Sequence, residues 1–213
     1  MNADLYSASG EKKGTVALPA ALFDAPVNAG LMHQAVVMQM SNRRGPIAHT
    51  KSRGEIRGST RKLYAQKGTG RARRGAVRSP LLRGGNKAFG PKKNANFRKE
   101  MPRKMRHAAL RSCLSVKAQG GAVIALESLR PEMKTKEAVL LLGKLPVQIG
   151  RPVLIVVPSR SDALTRSVRN IPRVKTLPAA YLNPVDVLGS RHIVFLTEAL
   201  AKAEEVFGSS SSS

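Results

Sequence analysis

The sequence predicts an α/β fold: a mainly parallel sheet flanked by helices, Rossmann-like and three-layered, carrying a long basic extended loop. Two observations lead there. In the second half of the chain, short continuous apolar runs at 122–126, 153–157, 174–177 and 193–196 alternate with segments of helical period, the pattern of strands covered on both faces. Earlier, residues 43–106 hold 21 of the 37 Lys and Arg but only two carboxylates, Glu55 and Glu100, so this stretch carries +19 of a net charge of +24. Its large apolar residues, Ile47, Ile56, Leu63, Val77, Leu81 and Leu82, follow no helical or strand period, and nine of the 18 glycines interrupt it. Such a segment has no apolar core of its own and reads as an arm that folds against a polyanion.

Along the chain, short apolar pieces at 4–7 and 14–18 flank Ser9-Gly10, a turn signal, and predict a small hairpin. A connection over 19–26 follows. Asn28 then stands where it can cap a helix to about residue 42, with Leu31, Ala35, Met38 and Met32, Val36, Met40 at helical spacing on a wide apolar face. His33 on this helix has no Cys, Asp or Glu at metal-ligand spacing, so it is read as packed or solvated. The arm opens at Arg43-Arg44-Gly45-Pro46 and closes at Pro102, which suits the first turn of a helix over 103–119 ended by Gly120-Gly121. On that helix Met105, Ala109, Ser112, Cys113 and Val116 share an inward stripe, and Arg103, His107 and Arg111 share a basic one. Cys113 is accordingly a small core residue and not a nucleophile. Further helices are predicted over 134–144 and 161–170, and a last one to Phe207 with Thr197 as its cap. Gly208 and five serines make a tail best left unstructured.

The predicted organisation is a discontinuous globular domain, 1–42 with 103–208, an RNA-binding loop over 43–102, and a disordered tail over 209–213. Setting the arm aside leaves about 149 residues, enough for a sizeable core without disulfide or metal. The single cysteine excludes an internal disulfide and fits a reducing compartment. No apolar run approaches a membrane span, and the first residues lack the basic-then-apolar order of a secretory signal, so the chain is expected to be intracellular and unprocessed. A sequence pI near 11.3 with the charge gathered in one stretch points to nucleic acid, whose condensed counterions are released when cations bind.

Enzymatic readings fail on their own residues. No stretch supplies the P-loop order of Gly, four residues, then Gly-Lys-Ser/Thr. Gly68-Thr69-Gly70 begins like a dinucleotide fingerprint but has Arg73 where the third glycine belongs, and no apolar strand precedes it. The histidines at 33, 49, 107 and 192 do not cluster, and no acid/base pair, triad or metal set emerges from the sequence. Neither catalytic residues nor a cofactor is expected.

The arm itself is specific. Arg43 and Arg44 open it; Arg53, Arg57, Arg61, Arg71, Arg73, Arg74, Arg78 and Arg83 can fork onto phosphate oxygens; Lys51, Lys62, Lys67, Lys87, Lys92 and Lys93 add point charges. Interleaved glycines let the backbone approach RNA closely. Tyr64, Phe89 and Phe97 are placed to stack on splayed bases, or else to anchor the arm's stem, a choice that stays open for Phe97.

These residues resemble a known signature. Gly54-Glu55-Ile56-Arg57-Gly58-Ser59, Arg61-Lys62, Gln66-Lys67-Gly68-Thr69-Gly70-Arg71-Ala72-Arg73, Arg78-Ser79-Pro80, Gly84-Gly85 and Phe89-Gly90-Pro91-Lys92 look like those of the large-subunit ribosomal protein L-four family, bacterial type. In the globular part, Lys134-Thr135-Lys136-Glu137, Arg169-Asn170-Ile171-Pro172 and Asn183-Pro184-Val185-Asp186-Val187-Leu188 fall in that family's order. The resemblance implies a non-catalytic structural protein of the large ribosomal subunit, an early ribosomal RNA binder whose loop tip reaches the wall of the peptide exit tunnel near ribosomal protein L-twenty-two. It implies RNA contacts from the cations above with Tyr64, Gln66, Gly68, Thr69 and Gly70, and tunnel-lining positions at Lys62, Lys67, Gly68 and Thr69. It also implies a cytoplasmic location and no membrane, metal or self-association. Asn86 and Lys93 depart from the family's more usual glycine and proline, Tyr64 stands where tryptophan or another aromatic is frequent, and Pro46-Ile47-Ala48-His49 replaces a more usual Thr-Ala-containing start; these bear on local loop shape. The competing readings are a nucleotide-using enzyme on the α/β domain and a nonspecific polycation.

Overall fold

A computed structural model describes residues 1–129, 133–148 and 150–208. The predicted serine tail over 209–213 lies outside the described residues. The chain divides into two compact units, Met1–Gln39 with Glu100–Ser213, and Met40–Lys99.

The larger unit is mixed α/β. Its strands are β1 (Asn2–Tyr6), β2 (Lys12–Ala17), β3 (Val123–Leu126), β4 (Val153–Val157), β5 (Val174–Pro178) and β6 (His192–Leu196), in one six-stranded sheet ordered β2-β1-β3-β6-β4-β5. Only β1 and β2 pair antiparallel, from Asn2 opposite Ala17 to Leu5 opposite Gly14. The other neighbours are parallel, with Val123 opposite Ile193, Val153 opposite His192 and Val153 opposite Val174. The continuous apolar runs behave as predicted: every residue of β3 and β4 is buried, because a central strand in a parallel sheet has no wet face. Lys12, Lys13 and Thr15 put β2 at one edge, where charge discourages further pairing.

The helices are α1 (Ala20–Phe23), α2 (Ala29–Asn42), α3 (Arg103–Gln119), α4 (Thr135–Lys144), α5 (Asp162–Val168), α6 (Pro184–Gly189) and α7 (Thr197–Phe207), with a 3-10 turn at Ala179–Tyr181. Asn28 caps α2 as expected, its Oδ1 accepting from the Leu31 N–H at 3.0 Å. The wide apolar face predicted for this helix is only half-buried, with Ala35 alone fully inside and His33 exposed to solvent. The inward stripe of α3 also shifts. Met105 is 38% exposed, because the core begins a turn later, at Ala109, Leu110, Cys113 and Leu114. Ser112 and Ser115 are buried yet satisfied: the Ser112 hydroxyl donates to Pro26 O at 2.8 Å, and Ser115 Oγ accepts from the Ala25 N–H at 3.0 Å. Burial pushes the Cys113 thiol up to about 11, consistent with a packing role.

Three differences from the sequence reading have clear causes. Thr197 does not cap α7; its hydroxyl donates instead to Glu127 O at 3.0 Å, joining the ends of β3 and β6. The 19–26 connection contains α1, too short for periodicity, whose Leu22 and Phe23 are fully buried. Finally, α6 begins at an Asn-Pro pair, with Asn183 Oδ1 accepting from the Asp186 N–H at 3.0 Å, a cap legible in the sequence but passed over there. The core centres on the pair Phe23 and Phe195, whose rings meet edge to face at 5.8 Å.

Candidate nucleic-acid interface

The unit Met40–Lys99 contains no helix beyond the end of α2 and no strand; polar contacts rather than an apolar core give it shape. At its base, Asn42 pairs with Lys99 in both directions: its Nδ2 donates to Lys99 O at 3.0 Å, and its Oδ1 accepts from the Lys99 N–H at 2.8 Å. The Ser41 hydroxyl donates to Phe97 O, and the Arg44 guanidinium lies 4.2 Å from the centre of the Phe97 ring. Phe97 is thereby an anchor of the stem, a cation–π partner rather than a free stacking surface.

Further along, the two runs of the loop are clasped. The Thr50 N–H donates to Pro91 O at 2.9 Å, and the Lys92 ammonium donates to Thr50 O at 3.0 Å and Glu55 Oε2 at 3.3 Å. A Cβ at position 90 would lie 2.1 Å from Thr50 Oγ1, so only glycine allows the runs to touch there. Glu55, the sole carboxylate of this unit, also accepts from the Ser52 N–H at 2.6 Å and the Ser52 hydroxyl at 2.8 Å. The Ser52 N–H, then its hydroxyl, then the Lys92 ammonium hold the Glu55 carboxyl well below the usual range, at about 2. A carboxyl lowered on folding stabilises the folded form above its unfolded value and loses that contribution as pH falls towards about 2. The clasp is therefore charged throughout the physiological range. Glu55→Gln is expected to raise hydrogen exchange at the Thr50 amide severalfold while leaving the melting of the globular unit unchanged; an unaltered Thr50 rate would show that Glu55 does not hold the clasp.

At the tip, Lys62 and Ala76 form an isolated antiparallel bridge, and the Leu63 N–H donates to Gly75 O at 3.2 Å. The Lys62 ammonium is turned onto the loop itself, donating to Gln66 Oε1 at 2.6 Å and Arg74 O at 3.1 Å. The Tyr64 hydroxyl donates to Ala72 O. Gly68 and Gly70 take positive φ, +82° and +60°, and close the turn between these partners. Ala76, only 3% exposed, is the one fully buried apolar residue of the unit.

The predicted RNA-binding residues therefore fall into two groups. Arg44, Lys62, Arg78 and Lys92 make contacts within the loop, Arg78 through its Nη1 donating to Ile56 O at 3.5 Å. Arg43, Lys51, Arg53, Arg57, Arg61, Lys67, Arg71, Arg73, Arg74, Arg83, Lys87 and Lys93 are exposed, as are Gln66, Gly68, Thr69 and Gly70; Arg44 and Lys62 are exposed despite their contacts, and Arg78, Lys92 and Tyr64 are half-buried. Phe89 stands fully exposed at a φ of +53°, a conformation uncommon for an aromatic residue. Sequence reasoning missed Glu55 as a structural element. Its signal was present: Glu55 is the one carboxylate among the many cations of residues 40–99, so it has an oppositely charged partner wherever the loop folds back on itself.

Among the described residues, no group of three or more His, Cys, Asp and Glu could hold a metal, and no helix is long and apolar enough to cross a membrane. The pairing of a mixed α/β unit with a cation-rich, acid-poor unit defines the class of protein: a folded domain bearing a strongly basic arm. The family model described as the ribosomal protein L4/L1 family matches residues 16–206. Similar proteins include the large ribosomal subunit protein uL4 of Pelotomaculum thermopropionicum, 43% identical over 204 residues, covering 95% of this chain and 97% of that one. Those of Desulforudis audaxviator, 40% identical over 205 residues (96% and 98% covered), and Dehalococcoides mccartyi strain 195, 42% identical over 209 residues (98% of each), match along the same extent. The chain belongs to the ribosomal protein L4/L1 family.

Proposed function

We propose that this chain is a structural, non-catalytic constituent of the large ribosomal subunit in the cytoplasm. The loop over 43–102 is its primary ribosomal RNA-binding element, and the globular domain, 1–42 with 103–208, is a Rossmann-like three-layer platform for it. The observation that carries this reading is the row of exposed cations, from Arg43 to Lys93, on a unit whose single carboxylate is already engaged by Ser52 and Lys92. That unit offers those cations no second carboxylate, and phosphate is their natural counterpart. Support for the platform comes from the packing of the helices: α4 meets α5, while α3 meets α1 and α6.

On this reading the protein binds early in subunit assembly, and the tip residues Lys62, Lys67, Gly68 and Thr69 form part of the exit tunnel wall beside L-twenty-two. Lys67 and Lys62 are both exposed, and Lys62 in addition bonds to Gln66 Oε1 and Arg74 O across the tip. The test is sedimentation of the tagged chain from a cell lysate, followed by a high-salt wash of the large-subunit fraction. Co-migration that survives the wash is expected, since an arm enclosed by RNA is not released by screening alone. Protein confined to the top of the gradient would overturn the proposal.

A further inference from the structure

The loop tip contains a concavity of about 540 Å³ lined by Ser59, Val77 and the run from Arg61 to Ala65. We infer that this concavity is a seat for one unstacked RNA base. The inference rests on the RNA-binding reading above and specifies what part of the RNA this site takes.

Three features of the concavity point to a base. Its lining is mixed, as the surface of a base is: the apolar side chains of Leu63, 46% exposed, and Val77, 39% exposed, border the same space as Tyr64, beside the polar Ser59, Arg61 and Lys62. Exposed apolar side chains scattered singly need no partner, but their convergence with an aromatic ring makes a surface that water covers poorly. Second, the seat is built before any ligand arrives. The Lys62–Ala76 bridge and the bond from the Leu63 N–H to Gly75 O fix its two sides, and the bond from the Tyr64 hydroxyl to Ala72 O fixes the ring, so little side-chain freedom is left to lose on binding. Third, Arg61 lines the concavity, and the carboxylate of this unit, Glu55, is held by Ser52 and Lys92, so the guanidinium suits the phosphate attached to a splayed nucleotide and would find no charge to pair on an acid-free apolar peptide. A duplex cannot use this seat, because its bases are stacked and paired; a single-stranded loop or bulge can.

The experiment uses the full-length chain and two RNA probes with equal numbers of phosphates: a short single strand carrying a fluorescent adenine analogue, and a blunt duplex. The wild type is expected to bind both and to change the analogue's emission. Tyr64→Leu is expected to weaken single-strand binding on the order of tenfold, the scale of one lost base–aromatic contact, while leaving duplex binding unchanged. Tyr64→Phe, which keeps the ring, is expected to retain most of the single-strand affinity, and circular dichroism checks that each variant is folded. Equal loss on both probes, or no loss on either, overturns the base seat and leaves the RNA-binding reading standing. A wild-type chain that binds neither probe overturns that reading, and the seat with it.

Discussion

Replacing residues 48–98 with a short glycine-serine linker is expected to abolish tight binding to large-subunit RNA and to flatten its dependence on salt. Each phosphate neutralised by a Lys or Arg adds roughly 0.7 to 0.9 to the slope of log affinity against log salt. The exposed cations of the loop are numerous enough that losing them removes most of that slope. Single substitutions sort by geometry. Arg71→Gln removes an exposed guanidinium and is expected to lower the slope by about one such increment. Lys92→Met is expected to weaken binding with little change in slope, because its ammonium is spent on Thr50 O and Glu55 and acts by holding the loop's shape. Titration at several salt concentrations reads both numbers. An unchanged slope after removal of 48–98 would show that the loop is not the binding element.

The second large effect concerns the platform. Phe195→Ala is expected to destabilise the globular unit by about 3 to 5 kcal/mol, the range for deleting a large buried aromatic side chain. Phe195 is fully buried in β6, and its ring meets Phe23 edge to face, so the cavity would open in the middle of the core with α1 as one wall. Against a total stability of about 5 to 15 kcal/mol this is a large fraction, and a fall in melting temperature on the order of 10 °C is expected. Leu140→Ala is the control: Leu140 is 61% exposed, and its loss is expected to change stability by less than about 0.5 kcal/mol. A drop for Phe195→Ala no greater than for the control would mean that Phe195 is not central to the core.

Both effects trace back to features of unequal legibility. The strands were plain in the sequence because β3, β4 and β6 are buried on both faces, which forces an unbroken apolar run of strand length. Short elements were not. A four-residue α1 has no period to detect, and it forms because Leu22 and Phe23 gain a place in the core. Helical spacing starts the inward stripe of α3 at Met105, one turn before the core does, since it gives the direction of a face but not where along the helix the neighbouring elements cover it. For the same reason spacing offers Thr197 as the cap of α7, whereas in the fold its hydroxyl reaches the Glu127 carbonyl at the end of a neighbouring strand.

Composition and motif alone determined that this is an α/β protein with a basic arm, and which residues carry the charge, because charge and hydrophobic period are properties of the chain itself. Tertiary structure alone decided which of those cations are engaged by the loop's own carbonyls and carboxylate and which are not. Arg71 and Lys92 are alike in sequence terms, yet one is exposed and the other is bound to Thr50 O and Glu55 Oε2. That distinction depends on contacts between residues some forty positions apart, and a hydrogen bond over such a distance exists only once the backbone has brought its ends together.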